Sequence, residues 1–418
     1  MNIAAIIAEY NPFHNGHEYM IQKVKEETGA DYVIAVMSGD FTQRGIPGIA
    51  DKHTRAKMAA CCGADAVFEL PVRFATASAE FFATGAVALL NALSCADYLC
   101  FGSECGELSD FAKASDLLLN EPEEFKEAIQ KNLREGLSYP KAFAQAIRES
   151  GKTAFVSDSL FEQPNNLLGL EYMKALKKLA SSIKPHTITR TGTGYHDEHT
   201  LFSKEAGTLI ASASAVRSAL SKDAGSIAAA QPLLPENSYR VFAESYGITA
   251  PVTLDDFSLL LSTRIAAETK DSLATFLDVP KELADRIYRF RDEFMPFTKL
   301  IETIKHKQYT YARINRALVH ILLGLKEAGT SPDTSAPLVP YARLLAMKKS
   351  ASPLMKEIKE HSQIPVITKP AEARKVLDES ALTMFLEDVA AADLYNRIVA
   401  SKFGTEFVID MKRSIELI

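Results

Sequence analysis

Residues 9–17 read Glu9-Tyr10-Asn11-Pro12-Phe13-His14-Asn15-Gly16-His17 and directly follow the apolar run of residues 3–8. The apolar run predicts a short buried strand, and the spacing of residues 18–27 predicts a helix. Between them, Asn11, Pro12 and Gly16 predict a tight turn. A strand, a turn and a helix N-terminus form an anion site, because unpaired backbone N–H groups and the positive helix end point the same way. Two histidines at that point favour a polyphosphate, so the chain is predicted to handle a nucleotide.

The composition of the 418-residue chain is ordinary for a globular protein of two or three domains, with 47% hydrophobic and 24% charged residues. Its apolar runs are too short to span a bilayer, and neither a basic region nor a cleavage-like site follows Met1. We therefore expect a cytoplasmic protein without membrane contact. The five cysteines include no Cys-x-x-Cys pair and are expected to be buried small hydrophobes, not metal ligands. The sequence leaves the oligomeric state open.

The first 105 residues alternate between strand and helix patterns. Strands are predicted at residues 3–8, 32–37, 66–70 and 98–101, and helices at residues 18–27, 52–62 and 77–93. Such alternation implies right-handed crossovers and a parallel sheet that binds ligands at the carboxyl ends of its strands. Further along, residues 107–150 look helical and charged, a helix is predicted at 167–179, a strand at 186–191 and a helix at 213–220. The predicted fold class is therefore α/β, with a Rossmann-like parallel sheet.

Beyond residue 232 the patterns are mostly helical, at 237–330 and again at 371–403, with one short strand expected near residues 365–367. Ser, Gly, Ala and Pro accumulate between residues 225 and 236, which is typical of a linker. We therefore predict a catalytic domain at residues 1–230 and a mostly α-helical C-terminal domain at residues 231–418.

Three interpretations of His14 and His17 follow from their spacing. In the first, both imidazoles donate hydrogen bonds to nucleotide phosphates, and Gly16 lets the backbone approach them. In the second, the histidines cap the helix. In the third, they form half of a metal site, since His-x-x-His can chelate. The position directly after the first strand favours the first interpretation.

A second segment carries a related signature. Residues 11–17 resemble the HxGH signature of the nucleotidylyltransferase superfamily, and residues 210–217 (Ile-Ala-Ser-Ala-Ser-Ala-Val-Arg) resemble its I-S-x-S-x-x-R element at a helix start. The resemblance implies that Ser212, Ser214 and Arg217 hold the β- and γ-phosphates. A simple helix cap is the alternative for the serines. Ala215 departs from the family pattern, because it removes one hydroxyl donor.

The resemblance is closer to one family, the bacterial tRNA(Met) cytidine acetate ligases. It is carried by residues 9–17, by Met-Ser-Gly-Asp-Phe-Thr-Gln-Arg-Gly at 37–45, by Phe-Gly-Ser-Glu at 101–104, by Pro-Asn-Asn at 164–166 and by Tyr-His-Asp at 195–197. The resemblance implies a ligase that activates acetate with ATP, releases pyrophosphate and AMP, and acetylates N4 of the wobble cytidine in elongator tRNA(Met). It also implies a nucleotidylyltransferase-type (HUP) fold and Mg²⁺ as the companion of ATP.

The resemblance also implies roles for individual residues. The catalytic residues are His14, His17 and Arg217, and no residue is assigned to a metal. We expect Asp40 and Arg44, which follow the second strand, to face the acyl or acceptor pocket; the alternative for them is an ordinary loop ion pair. The implied ATP-binding residues are Ile7, Ala8, Glu9, Tyr10, Asn11, Pro12, Phe13, His14, Asn15, Gly16, His17, Glu18, Tyr19, Met20, Gly102, Asn165, Arg190, Thr191, Ser212, Ser214 and Arg217.

The C-terminal half contains a basic stretch with interleaved tyrosines, although the net charge of the chain is −6. Lys305, Lys307, Arg313 and Arg316 are its cations and are predicted to bind tRNA, because cations and aromatic rings suit phosphates and unpaired bases. A solvated helix face is the alternative. Two other functions stay open from the residues alone. One is a nucleotidylyltransferase that transfers AMP or CMP to a phosphorylated metabolite, and the other is a non-catalytic RNA-binding protein.

Overall fold

The computed structural model describes residues 1–119, 123–135, 142, 145–146, 149, 159–190, 201–203, 207–222, 226–306, 309–327 and 337–418. Within these residues, one eight-stranded sheet has the order β10-β8-β3-β2-β1-β4-β5, with β9 beside β8, and β6 and β7 form a separate hairpin. The strands are β1 (Ile3–Ala8), β2 (Tyr32–Ser38), β3 (Ala66–Leu70), β4 (Tyr98–Ser103), β5 (Lys184–Thr189), β6 (Leu201–Ser203), β7 (Thr208–Ile210), β8 (Ala342–Met347), β9 (Val366–Ile367) and β10 (Glu416–Leu417).

Helices connect and flank these strands. The α-helices are Asn15–Thr28, Lys52–Cys61, Val72–Ala75, Ala79–Leu93, Leu108–Leu119, Glu123–Arg134, Ser159–Glu162, Pro164–Lys178, Ala213–Lys222, Glu236–Ser245, Ser258–Ala267, Lys270–Leu273, Lys281–Tyr288, Phe297–Ile304, Tyr311–Leu323, Ser352–His361, Ala373–Val376 and Glu379–Phe403. Short 3₁₀ turns cover Ile227–Leu233, Leu254–Phe257, Lys349–Ala351, Pro370–Glu372 and Asp410–Lys412. Among the helices in the described parts of the chain, none is long and apolar enough to cross a membrane.

The central strands are parallel, as the alternation predicted. β1 pairs with β2 from Ile3↔Tyr32 to Ala8↔Met37, and with β4 on its other side. β2 pairs in parallel with β3, and β4 with β5. Because neighbouring parallel strands end at the same edge, the loops after β1, β2, β4 and β5 meet at that edge of the sheet.

Each face of the sheet is buried, which explains why its strands are continuous apolar runs. Ile3 and Ala5 of β1 belong to one hydrophobic cluster, and Ala4 and Ile6 to the cluster on the opposite face. A third cluster lies among the helices between residues 252 and 325 and the long helix Glu379–Phe403. The predicted α/β sheet and the mostly helical C-terminal region are therefore both confirmed.

The strand β8 was not predicted, and it makes a segment of the C-terminal half part of the central sheet. It pairs antiparallel with β3, and β9 and β10 pair with β8. Its sequence, Ala-Arg-Leu-Leu-Ala-Met, consists of good helix formers, so the local preference is helical and pairing with a buried sheet edge overrides it. Both predicted domains, 1–230 and 231–418, thus share one sheet, and the division at residue 230 stays a prediction.

Several other elements differ from their predicted bounds. The helix predicted at residues 77–93 runs from Ala79 to Leu93, and a separate short helix, Val72–Ala75, precedes it. The strand predicted at residues 186–191 begins earlier and ends at Thr189, so Arg190 lies just beyond its end. The predicted short strand near residues 365–367 is confirmed as β9.

Candidate active site

The loop after β1 is fastened to the loop after β2. Tyr10 has a φ of +46°, a left-handed backbone that is uncommon for a residue other than glycine. Asn11 is 1% exposed; its side-chain oxygen accepts the Ile49 N–H at 2.7 Å, and its amide donates to the Pro47 carbonyl at 3.2 Å. The side chain of Asn11 therefore positions the two loops against each other.

His14 and His17 form the first part of the site, at the N-terminus of the helix Asn15–Thr28. His14 is the N-cap of the helix Asn15–Thr28, and the two rings stack with centroids 3.6 Å apart. The Gly16 N–H donates to Nδ1 of His14 at 3.1 Å, and the His14 N–H donates to Nδ1 of His17 at 3.2 Å. Because each Nδ1 accepts a backbone N–H, the proton of each neutral ring is on Nε2.

The charge state of this histidine pair follows from its surroundings. Burial, helped by the positive charges of Arg190 and Arg217, lowers the pKa of His14 to about 3. Burial also lowers the pKa of His17 far below its ordinary value, with His14 and Arg190 adding to the effect. Both rings are therefore uncharged at neutral pH, and each has an Nε2–H that can donate a hydrogen bond. The helix-cap interpretation and the phosphate-donor interpretation are thus compatible, because they use different nitrogens of the same rings.

The two residues between the histidines serve the packing of the motif. A Cβ on Gly16 would stand 3.1 Å from the His14 ring and 3.4 Å from Ile210, so a side chain would push the ring away. The Asn15 amide donates to the carbonyls of Leu209 (2.8 Å) and Pro232 (3.0 Å). Asn15 thus joins the motif helix to the hairpin that precedes the second signature.

The second signature lies against the first. Ser212 caps the helix Ala213–Lys222, because its hydroxyl oxygen accepts the Ala215 N–H at 3.1 Å. The Arg217 guanidinium donates to the Asn11 carbonyl at 2.6 Å and to the Ser214 hydroxyl at 3.1 Å. Burial lowers the pKa of Arg217 to about 10, so the guanidinium stays charged at neutral pH. The structure therefore brings both signatures together, although about 200 residues separate them.

The carboxyl ends of β4 and β5 form a third part of the site. Gly102 is covered by the Arg190 side chain, since a Cβ there would stand 3.2 Å from Arg190 Cγ. Arg190 lies near Glu104, with 4.0 Å between Nε and Oε1, and the positive charge of Arg190 also acts on both histidines. Thr191, the neighbouring predicted residue, lies outside the described residues.

Glu104, which was not among the predicted ATP-binding residues, connects the end of β4 to the start of the helix Pro164–Lys178. Its Oε1 accepts the Asn165 amide at 2.6 Å, and its Oε2 accepts the Asn166 N–H at 3.1 Å. In return, the Asn166 side-chain oxygen accepts the Glu104 N–H at 2.8 Å. The available signal was its position directly after a strand, in the segment 101–104. Glu104 thus links the strand end to the predicted ligand Asn165.

The loop after β2 contains Asp40 and Arg44, the two residues expected at the acyl or acceptor pocket, and they have different neighbours. Asp40 is 5% exposed and accepts the Lys52 N–H at 2.7 Å, so its carboxyl group lies within its own loop. Burial raises the pKa of Asp40 to about 7, although Lys52 opposes the shift. Arg44 lies instead within electrostatic reach of Glu9 and Arg217. The expectation that both residues face the acyl or acceptor pocket stays a prediction.

The predicted tRNA-binding cations do not all lie on the surface. Lys305 is exposed and Arg313 is half-buried. The Arg316 side chain is only 11% exposed, and its Nε donates to Asp278 at 3.1 Å. The ion pair with Asp278 buries the Arg316 side chain, so Arg316 does not share the exposed surface of Lys305. Lys307 lies outside the described residues.

Comparison with known proteins places this arrangement in a family. Residues 1–406 match the model of the family described as HIGH Nucleotidyl Transferase. The chain belongs to this family. Among the HIGH nucleotidyl transferases, it is 38% identical over 416 residues to the tRNA(Met) cytidine acetate ligase of Clostridium perfringens, with 98% of both chains covered. It is 36% identical over 399 residues to the protein of the same name from Acetivibrio thermocellus, with 94% of both covered. The chain is thus a member of the tRNA(Met) cytidine acetate ligase family.

Solved structures of a HIGH nucleotidyl transferase agree with the fold. The apo crystal structure of Thermotoga maritima TmcAL superposes with a TM-score of 0.89 at 27% identity, and all of both chains is covered. The crystal structure of the same protein bound with alpha-thio ATP has a TM-score of 0.88 at 27% identity, with 100% of this chain and 99% of that chain covered. The likeness therefore extends over the C-terminal half as well as the sheet.

In this HIGH nucleotidyl transferase, a buried arginine that sequence reasoning missed holds the strand ends. Arg55 is fully buried and donates to the carbonyls of Ala50 (2.9 Å), Glu9 (2.7 Å), Ser38 (3.3 Å) and Gly39. These carbonyls lie at the end of β2 and in the loops after β1 and β2, where buried carbonyls need hydrogen-bond partners. Its sequence signal was weak, because a helical arginine normally faces water. Arg55 therefore positions both loops that carry the site.

A second buried network of this HIGH nucleotidyl transferase ties the C-terminus to the same loops. Lys52 Nζ donates to Glu69 (2.8 Å) and Asp410 (3.2 Å), and Arg343 donates to Asp410 at 2.5 Å. All four residues are at most 3% exposed. A Cβ on Gly39 would stand 2.5 Å from the Glu69 carboxylate, so the loop after β2 rests directly on this network.

Proposed function

We propose that this protein is an ATP-dependent ligase that acetylates N4 of the wobble cytidine in elongator tRNA(Met), with acetyl-adenylate as its intermediate. The observation that carries the proposal is the pair of neutral Nε2–H donors on His14 and His17, beside the Arg217 guanidinium. Relatives that cover nearly the whole chain are named tRNA(Met) cytidine acetate ligase, which supports acetate and tRNA as the substrates.

In the proposed first step, an acetate oxygen attacks the α-phosphorus of ATP and pyrophosphate leaves. Negative charge grows on the phosphate oxygens, and the Nε2–H groups of His14 and His17 donate to them. A neutral donor pair suits this task, because it stabilises growing charge without holding the leaving group through a full ionic bond. Arg217 is anchored on Asn11 beside the pair and supplies the positive charge for the departing pyrophosphate.

The nucleotide would lie across the edge where β1, β4 and β5 end. Gly102 and Asn165 are proposed contacts of the adenosine, and Arg190 is a proposed contact of phosphate or carboxylate oxygens. The side chains of Asn11 and Asn15 already bind protein carbonyls or N–H groups, and the Asn11 carbonyl accepts from Arg217. The backbone N–H groups of Asn11 and Asn15 are therefore the proposed contacts of the nucleotide.

In the proposed second step, the exocyclic amine of cytidine attacks the acetyl carbon. The C–N bond forms, the amine gives up a proton to water, the bond from the acyl carbon to the phosphate oxygen breaks, and AMP leaves. The chemistry consists of positioning, and it needs no covalent enzyme intermediate. Arg44, beside Glu9 and Arg217, is the proposed residue at the acceptor side. A wobble base must leave its stack to reach the adenylate.

We place the reaction in the cytoplasm, where its tRNA substrate is found.

Mg²⁺ is the proposed companion of ATP, held by phosphate oxygens and water. In the described part of the chain, the cluster of metal-ligand type is Glu357, Glu360 and His361 on the helix Ser352–His361. That helix carries none of the proposed phosphate-binding residues. No step of the mechanism is therefore assigned to a metal held by the protein.

The test is a reconstitution with ATP, labelled acetate and unmodified elongator tRNA(Met). We expect label in the tRNA only when ATP is present, with AMP and pyrophosphate formed in equal amounts. Acetate-dependent exchange of pyrophosphate into ATP should occur without tRNA, since the adenylate forms first. A tRNA whose wobble cytidine is replaced by uridine is the matched control and should stay unlabelled. AMP transfer to a metabolite without acetate would overturn the proposal.

A further inference from the structure

The start of the helix Tyr311–Leu323 lies beside the loop that carries Arg44. Gly45 has a φ of +67°, and a Cβ there would overlap the backbone of Asn315 and Arg316. The loop and the helix therefore meet backbone to backbone. Because Arg44 precedes Gly45 and lies near Arg217, this helix borders the candidate active site.

Tyr311 is an exposed aromatic residue one helical turn from this junction. It lies four positions before Asn315, so the two residues share a helix face about 6 Å apart along the axis. Its side chain is 49% exposed, and Lys305 Nζ lies 3.6 Å from the ring centroid. Tyr309, in contrast, is 8% exposed and belongs to the helical core, so it offers no comparable surface.

The surroundings of Tyr311 are basic although the whole chain is acidic. Lys305 and His306 are exposed next to it, and Arg313 is two residues further along the helix. An exposed ring beside cations is the combination by which proteins hold an unpaired nucleotide, with stacking on the base and charge on the phosphate. An acidic peptide would match the charge but would leave the exposed ring unused.

We propose that Tyr311 is a stacking platform for an unpaired anticodon-loop base of the tRNA substrate, with Lys305 binding the adjacent phosphate. The inference rests on the proposed function and adds the contact that guides the loop toward Arg44. Tyr311 acts in binding and does not touch the reacting atoms, so it is a positioning residue.

The chain contains no tryptophan, which allows a direct optical test. Tyr311→Trp introduces a single tryptophan at the proposed platform, and Phe81→Trp places one at another exposed aromatic position, 61% exposed, as the matched control. The probe is an anticodon stem–loop RNA of elongator tRNA(Met) with an unmodified wobble cytidine. We expect saturating RNA to quench the emission of Tyr311→Trp by at least half and to leave that of Phe81→Trp unchanged.

A fully paired RNA duplex with the same number of nucleotides separates stacking from charge. Equal quenching by that duplex would overturn the proposal, as would unchanged emission when anisotropy of labelled stem–loop shows that it is bound. As a second variant, Tyr311→Ala should raise KM for tRNA about tenfold, more than it changes kcat; an unchanged KM would also overturn the proposal. Failure of the proposed function would look different, because acetate-dependent pyrophosphate exchange would then be absent from the unmodified enzyme.

Discussion

The rings of His14 and His17 stack with centroids 3.6 Å apart, and each uses Nδ1 to accept a backbone N–H. One nitrogen of each ring therefore caps the helix, and the other is the donor that we propose for the nucleotide. The same hydrogen bonds that hold the rings also select their tautomer. The helix-capping role of the histidines and their proposed role as phosphate donors can be separated only by a substitution that keeps the cap.

The first prediction uses such a substitution. In His14→Asn, the side-chain oxygen can accept the Gly16 N–H, because asparagine is a good N-cap residue. The variant lacks the Nε2–H donor, so we expect acetate-dependent pyrophosphate exchange to fall at least a hundredfold while the free energy of unfolding at pH 7 changes by less than about 1 kcal/mol. Exchange rates and urea unfolding measure the two quantities. Near-normal exchange would contradict a donor role for His14.

The second prediction concerns the pH dependence of stability. The pKa of His14 is about 3 in the folded protein and near 6.5 in the unfolded chain, so the unfolded chain binds more protons between these values. The contribution of His14 to stability is therefore complete above about pH 6.5 and is lost as the pH falls toward 3. We expect the unfolding free energy of the unmodified protein to fall relative to that of His14→Asn by up to about 1.4 kcal/mol per pH unit. Parallel pH profiles of the two proteins would contradict the assignment.

The third prediction compares two glycines with nearly equal backbone angles. Gly29 and Gly45 have φ values of +62° and +67°, but a Cβ on Gly29 meets nothing within 4 Å, and one on Gly45 overlaps the Arg316 backbone. Gly29→Ala should lower the unfolding free energy by about 1 kcal/mol through its backbone angle alone. Gly45→Ala should lose roughly 2 kcal/mol more, because a rigid helix cannot yield. Chemical denaturation measures both, and equal losses would mean that the loop simply moves away from the helix.

The fourth prediction tests the network that joins the C-terminus to the sheet. Asp410 is 1% exposed and accepts from Lys52 and Arg343, and these cations hold the pKa of Asp410 well below its usual range. Asp410→Asn leaves two buried cations with Glu69 as their remaining carboxylate partner in this network, and we expect a loss of about 3–5 kcal/mol in unfolding free energy. Asp292→Asn, at a side chain that is 83% exposed, is the control and should change stability little. A loss no larger than in that control would contradict the importance of the network.

Much of the sheet could be predicted from the sequence. The predicted bounds of β1 and β3 agree with the structure, because both are short apolar runs that end at polar or turn residues. β8 could not be predicted in this way, since its residues favour a helix and only the edge of β3 makes it a strand. Hydrophobic periodicity reports what a segment buries, and it does not report which distant partner covers it.

The candidate site shows the same division. The order of the two motifs pointed to the two histidines and Arg217, and the structure joins the two motifs through the hydrogen bond from Arg217 to the Asn11 carbonyl. The direction of Arg316 could not be predicted, because its partner Asp278 is 38 positions away in the chain. Arg55 was missed for the same reason, since its carbonyl partners come from two separate loops.

By itself, the sequence determined the strand–turn–helix unit at residues 3–28, the capping residues, the second signature and the basic stretch, because these depend on neighbours within a few positions. Only the tertiary structure decided that Arg44 lies within electrostatic reach of Glu9 and Arg217, that Asp40 is buried within its loop and that the C-terminus supports the same loops. These relationships depend on contacts between distant segments, which form only when the complete core excludes water. The proposed chemistry thus depends on residues 9–17, which are neighbours in the chain, while Arg55, Asp410 and Arg343, from elsewhere in the chain, hold the surrounding loops in position.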